Sequence, residues 1–306
     1  MVISGATLVG GEPCRIGRGD VVLVEACEYR DSFLSLSPTL SVITNVEHEH
    51  VDYFPTEQDI YKSFVRFARQ SDRVVYNTAC PLSCRLARES GVNAHSCGEK
   101  DADVLLTGVE KTAHGSRLFV EMRSGSEEFL LAVPGRANVL DALSAIAAAD
   151  ALGIEPTDIR RGLCGFTGIS RRLEHIGTLD GRAVYYDYAH HPTEIENTVS
   201  ALKEQHGELT VIFRPHTYTR TAALFDSFVE VLGRADNVVL LDIYAAREQS
   251  IPGVTSEALA AAIGERAVRV DFDCALPYVR EKTQGAIVLM GAGEVDTVKK
   301  MIEEAL

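Results

Sequence analysis

The sequence predicts an α/β protein of two domains, a partial sheet with an antiparallel meander followed by a doubly wound sheet. Three observations carry this. Short β-branched runs closed by polar residues recur, as in strands buried on both faces. Between residues 103 and 133, three alternating segments are separated by Gly, Ser and His turns, which suits a meander. After Arg171, strand and helix patterns alternate, as crossover helices over a parallel sheet require.

In the first half, Val21–Glu25 and Leu40–Asn45 read as strands of a buried parallel sheet. Between Pro55 and Ser71, the spacing of Ile60, Phe64, Phe67 and Ala68 predicts a helix with Thr56 as its N-cap. Arg73–Tyr76 returns to strand. The Ala-rich segment Asn138–Ala151 predicts a helix with Gly153 just beyond its end. In the second half, Val184–Tyr188, Leu209–Phe213, Val238–Asp242 and Ile287–Met290 are the expected strands. Glu194–Glu204, Leu224–Leu232, Glu257–Ile263 and Val295–Ala305 are the expected helices. The join lies in the Gly/Ser/Arg stretch Gly168–Gly177, with domains expected over 1–172 and 173–306.

Composition narrows the function. The 306 residues are 46% hydrophobic and carry a formal charge of −14, so nucleic acid and anionic membrane are excluded as general partners. No apolar run approaches the ~18 residues that span a bilayer. The first residues lack a basic signal-peptide region. Seven cysteines without CxxC or zinc-finger spacing read as reduced thiols of a cytoplasmic protein.

Polar residues cluster where the expected strands end, the edge at which open α/β sheets bind ligands. Glu25 and His50 offer one oxygen and one nitrogen ligand, enough to help hold Mg²⁺ beside phosphates. His48 and His50 would point oppositely along a continued strand, so the run Glu47–His50 does not make one site; a solvated acidic loop is the plainer alternative. Tyr186–Glu194 passes from strand to a helix begun by Pro192, and the turn would expose Asp187, His190 and His191. Phe213–Thr221 supplies Arg214, His216 and Arg220, and with Arg171 and Arg172 it suits a carboxylate or phosphate. Gly5–Gly10 has P-loop glycine spacing, but Gly11 and Glu12 stand where Lys and Ser/Thr belong, so it is no P-loop. Gly291-Ala292-Gly293 reads as a tight turn, since Asp296 replaces the third glycine of a dinucleotide fingerprint.

Together, VEACEYRDSF, TNVEHEHVDYF, PGRANVLDALSAIAAA, GISRRLE, YDYAHHPTEIE, FRPHTYTRT and DIYAAREQSIPG resemble the Mur ligase family of peptidoglycan synthesis, in family order. The paired histidines before PTE, with PHTYTRT and IYAARE, are similar to the alanine-adding branch; a branch that reattaches recycled tripeptide is the alternative. The resemblance implies part of the central ATPase-type sheet domain and a Rossmann-like C-terminal domain. It implies ATP and Mg²⁺ as cofactors, UDP-N-acetylmuramate and L-alanine as substrates, and an acyl phosphate formed before the amine attacks. Glu25 and His50 would then be the metal ligands. Asn138 and Asp141 would meet the nucleotide and Arg172 its phosphates. Asp187, His190 and His191 would serve catalysis, and His216 and Arg220 would approach the anionic substrate or the amino acid.

The chain also departs from the family. Ala137 replaces the usual His before Asn138, and Asp141 stands for a frequent Asn. The resemblance begins past the family's P-loop, which implies a fragment with weak ATP binding and little activity alone, because phosphoryl transfer depends on positioning. The alternatives are a split ligase completed by another N-terminal polypeptide and a non-catalytic precursor-binding module.

Overall fold

The computed structural model describes residues 1–306 except 5, 6, 8–11, 13, 52, 113, 114, 292–295, 305 and 306. The Gly5–Gly10 spacing and the Gly291-Ala292-Gly293 turn thus fall largely outside the described residues. The chain forms two compact units, one of residues 1–7 with 12–167 and one holding 168–306.

In the first unit, β1 (Val2–Ile3), β2 (Cys14–Arg15) and β3 (Leu23–Val24) form a small sheet in the order β2-β1-β3. A larger sheet runs β4 (Leu40–Ile43), β5 (Arg73–Asn77), β6 (Asn93–Gly98), β7 (Val104–Lys111), β8 (Ser116–Met122), β9 (Gly125–Leu131) in sequence order. It is parallel from β4 to β7 and antiparallel from β7 to β9. The expected meander is there. The helices are α1 (Glu57–Arg69), α2 (Pro81–Ser90), α3 (Arg136–Ala151) and α4 (Pro156–Cys164). The Thr56 hydroxyl accepts from Asp59 N–H, so α1 begins where the sequence predicts. Val74 and Val75 point into different cores, the first with α1 and α2 and the second with α3, so the middle of β5 is apolar on both faces.

One strand departs from expectation. Val21–Glu25 is not a buried parallel strand: only Leu23 and Val24 pair, with β1, and Val21, Val22 and Leu23 are 55%, 59% and 58% exposed. A two-residue ladder supplies too few hydrogen bonds to hold the whole run in a sheet.

The second unit has one sheet in the order β10-β11-β15-β12-β13-β14. Its strands are β10 (Glu174–Leu179), β11 (Arg182–Asp187), β12 (Leu209–Arg214), β13 (Asn237–Leu240), β14 (Ala267–Arg269) and β15 (Ala286–Gly291). All pairs are parallel except β10 with β11. The helices are α5 (Pro192–His206), α6 (Tyr218–Ala223), α7 (Phe225–Leu232), α8 (Ser256–Ile263), α9 (Phe272–Lys282) and α10 (Asp296–Glu303). Strand residues alternate between two cores. Val211, Phe213, Val288 and Met290 meet α5, α7 and α8, whereas Ile212, Ile287 and Leu289 meet α9 and α10. Helices on both faces make the sheet doubly wound, as the sequence predicts. The chain returns from β14 to β15, which sits between β11 and β12. The loops after β11 and β12 therefore leave the carboxyl edge on either side of a topological switch point.

Candidate functional site

In the first unit, Glu25 follows β3 and accepts a hydrogen bond from Ser4 Oγ at 2.8 Å. After β4 the backbone turns, and His50 takes a left-handed conformation with φ 54°. The two histidines separate as alternation predicts, but through this turn and not along a continued strand. His48 Nε2 lies 2.9 Å from the Phe54 carbonyl, and His50 Nε2 lies 2.9 Å from Glu28 Oε1. The Tyr29 ring packs on His50 at 4.7 Å between centroids. The His50 hydrogen bond outweighs burial and holds the Glu28 carboxyl below its ordinary range.

Among the described residues, no group of three or more His, Cys, Asp or Glu side chains is placed to hold a metal ion. By chemistry alone the exposed Glu25 carboxylate and the His50 imidazole, whose Nε2 meets Glu28, are donors of the kind Mg²⁺ takes one or two of beside phosphates.

Asn138 and Asp141 lie in the first turns of α3. Gly135, at φ 101°, leads into the helix, and Asn138 Nδ2 donates to the Pro134 carbonyl at 2.6 Å. The Asn138 amide thus braces the turn it would present to a ligand, and Asp141 is exposed one turn further on.

The second unit brings more of its candidates together. Asp187, at the end of β11, is 5% exposed and not displayed at the edge, contrary to expectation. Its Oδ1 accepts from Ala189 N–H at 2.9 Å, and its Oδ2 from Leu173 N–H at 3.0 Å and Thr198 Oγ1 at 2.8 Å. Those three donors draw the side chain inward, away from any ligand. Burial raises its carboxyl above the ordinary range against these hydrogen bonds. Asp187 therefore orders the turn that carries His190 and His191.

That turn is closed by a residue the sequence reading passed over. Glu194 Oε2 accepts from the backbone N–H of His190 at 3.0 Å and of His191 at 3.2 Å, and its Oε1 accepts from Arg172 at 3.2 Å. The ring of His191 caps the helix, accepting from Thr193 N–H at 3.4 Å. Burial opposes ionisation of Glu194, but His190, the backbone N–H and Arg172 together hold its carboxyl below the usual range. The [S/T/D/N]-x-x-E pattern of a capping box was the available signal; a histidine at the N-cap position concealed it.

His216 and Arg220 lie in the loop after β12 and in α6. The His190 and His216 rings are 6.1 Å apart between centroids, so the turns after β11 and β12 converge. Arg220 Nη1 lies 3.4 Å from His216 Nδ1. Burial first, then Arg220, His190 and Arg214 against an opposing Glu248, push His216 down to about 4, so its ring is neutral at pH 7. Arg214 is 8% exposed and stacks on Tyr244 and Phe272, which makes it part of the core wall. Beside α6, a cavity of about 420 Å³ is lined by Tyr218, Asp242, Ile243, Ser250, Thr255 and Glu257.

Residues 18–149 match the Mur ligase middle domain, and residues 171–294 match the Mur ligase glutamate ligase domain. The UDP-N-acetylmuramate–L-alanine ligase of Thermobifida fusca is 38% identical over 325 aligned positions, covering 100% of this chain and 69% of that protein. The ligase of the same name from Caldicellulosiruptor bescii is 36% identical, covering 92% of this chain and 65% of that protein. Among solved structures, UDP-N-acetylmuramate–alanine ligase from Thermotoga maritima matches with TM-score 0.78 at 24% identity, over 99% of this chain and 68% of that one. At that identity the structural likeness speaks for the fold. The chain spans about two thirds of the length of these relatives.

Proposed function

Because the chain belongs to the Mur ligase family, we propose that it forms the middle and C-terminal parts of an ATP-dependent ligase that joins L-alanine to UDP-N-acetylmuramate. The observation that carries this reading is 38% identity to a ligase of that name along the whole of this chain. Residues 1–172 would serve nucleotide binding and 173–306 the incoming amino acid. In this reading a substrate carboxylate receives the γ-phosphoryl group of ATP, and the alanine amine displaces phosphate from the resulting acyl phosphate.

Each candidate then has a task its surroundings allow. Glu25 and His50 would hold Mg²⁺, which when bound neutralises charge on the transferring phosphate. Asn138 and Asp141, at the start of α3, would meet the nucleotide, where helix-end dipoles favour anions. Arg172 would meet phosphate, since guanidinium pairs with phosphate oxygens through two hydrogen bonds. Its link to Glu194 holds it ready on one side. His190 and His191 sit on the braced turn, and Asp187 supports that turn from beneath. Neutral His216 with Arg220 would bind the carboxylate of the amino acid, and the neighbouring cavity has room for a small side chain. The reaction would take place in the cytoplasm, in keeping with seven cysteines that are all thiols.

The test joins the preceding N-terminal third of the Thermobifida fusca ligase to this chain. The chimera is expected to release phosphate only with ATP, UDP-N-acetylmuramate and L-alanine together. His50→Ala or Arg172→Ala should lower that rate at least tenfold, because the first removes a ligand of the metal and the second a contact to the phosphate. A folded chimera that is silent with L-alanine, or equally active with a tripeptide, would overturn the reading.

A further inference from the structure

Building on the ligase reading, we propose that Glu194 is a positioning residue: with the Tyr188 carbonyl it keeps the His190 proton on Nδ1 and strengthens Nε2 as the hydrogen-bond acceptor for the incoming amine. His190 Nδ1 lies 2.9 Å from the Tyr188 carbonyl oxygen and 3.4 Å from Glu194 Oε2. A carbonyl and a carboxylate can only accept, so Nδ1 is the donor and the neutral ring carries its lone pair on Nε2. The ring is 18% exposed, so the neighbouring carboxylate acts on it with little screening.

His216 is set the opposite way. The guanidinium of Arg220 faces its Nδ1 at 3.4 Å and can only donate, so the neutral ring carries its proton on Nε2. Two imidazoles 6.1 Å apart thus hold their protons on opposite nitrogens. One accepts and one donates. An α-amino acid presents that pair of needs, an amine N–H and a carboxylate oxygen.

Glu194 also links the His190 imidazole and backbone N–H to Arg172, so one carboxylate orders a group for the amine and a group for phosphate. Among the described residues, the charged and titratable groups around His190 include Tyr188, whose ring packs on it at 5.2 Å between centroids, Glu194 and His191 on its own turn, Arg172 ahead of β10, and His216 with Arg220 after β12.

The tautomer is read directly by long-range ¹H–¹⁵N NMR of the full chain labelled at histidine, with His190→Gln to assign the signals. Wild type is expected to show a protonated Nδ1 and an unprotonated Nε2 above the titration midpoint of His190. Glu194→Gln keeps a carbonyl oxygen for the backbone N–H groups but removes the charge. It should preserve the fold and the tautomer while lowering the His190 midpoint by about 1 unit. Glu194→Asp, which keeps the charge, should hold the midpoint closer to wild type than Gln does. A protonated Nε2 in wild type overturns the proposal, and so does a midpoint that Glu194→Gln leaves in place. The wild-type tautomer decides the first point even if the variants fail to fold. No ligand enters these measurements, so their failure is separate from failure of the chimera assay.

Discussion

His216 shows what a buried titratable side chain does to the fold that holds it. Its folded value of about 4 lies below the ordinary 6.5 because burial and the cations Arg220 and Arg214 disfavour the charged ring. Between those two values the unfolded chain binds the proton and the folded chain does not. Stability therefore falls as pH drops from 6.5 towards 4, and this loss is absent above 6.5. His216→Gln removes the proton uptake from the unfolded state alone. Urea midpoints measured from pH 7 to pH 4.5 are expected to fall less steeply for the variant than for the wild type. Parallel slopes would mean that His216 titrates alike in both states. The residue identities at this site were visible in the sequence, since His216 and Arg220 stand four apart after an apolar strand. Their effect on each other was not, because it depends on how deeply β12 and α6 bury the ring.

At the scale of elements, the strand–turn–helix from β11 to α5 is held by side chains acting as backbone partners. Asp187 closes it from within and Glu194 from without. Asp187→Ala would leave the N–H groups of Leu173 and Ala189 without their acceptor in a buried place, at a cost of roughly 2–4 kcal/mol for two such donors. Equilibrium denaturation of the full chain should show that loss, and the Thr198→Val variant should lose less, since it removes one neutral partner of the same carboxylate. Equal losses would show that the backbone contacts carry little. Elements with a strong local pattern were legible: α1 with its Thr56 cap, the meander, and the apolar strands β12 and β15. Those missed had weak patterns. The strand β6 reads Asn-Ala-His-Ser-Cys-Gly and is stabilised by neighbours on both sides. The strand β10 contains Gly177 and a bulge, and α9 carries Pro277 inside the helix. The helix expected over Leu224–Leu232 begins only at Phe225, because Leu224 is non-helical and separates α6 from α7. Glu28 and Glu194 were overlooked for a related reason: each acts on a histidine through a turn whose closure the local sequence does not specify.

For the molecule as a whole, the organisation into two units rests on where the apolar side chains go. Every strand from β11 to β15 sends alternate residues to a core under α5, α7 and α8 or to one under α9 and α10. Among the described residues, both cores draw on side chains after Gly168. Arg182 binds them further, donating to the carbonyls of Gly285 at 2.6 Å and Val279 at 3.0 Å, which ties the β10–β11 hairpin to the start of β15. A stretch of ordinary domain size with helices on both faces of its own sheet satisfies the requirements for folding alone. Residues 168–306 expressed alone should therefore unfold in one cooperative urea transition and give dispersed NMR spectra. Arg182→Ala should lower the midpoint of that transition, since it removes the guanidinium hydrogen bonds that tie Gly285 and the end of α9 to β11. If the isolated stretch shows secondary structure but no cooperative transition, its two cores are insufficient and the compactness of 168–306 depends on residues before Gly168.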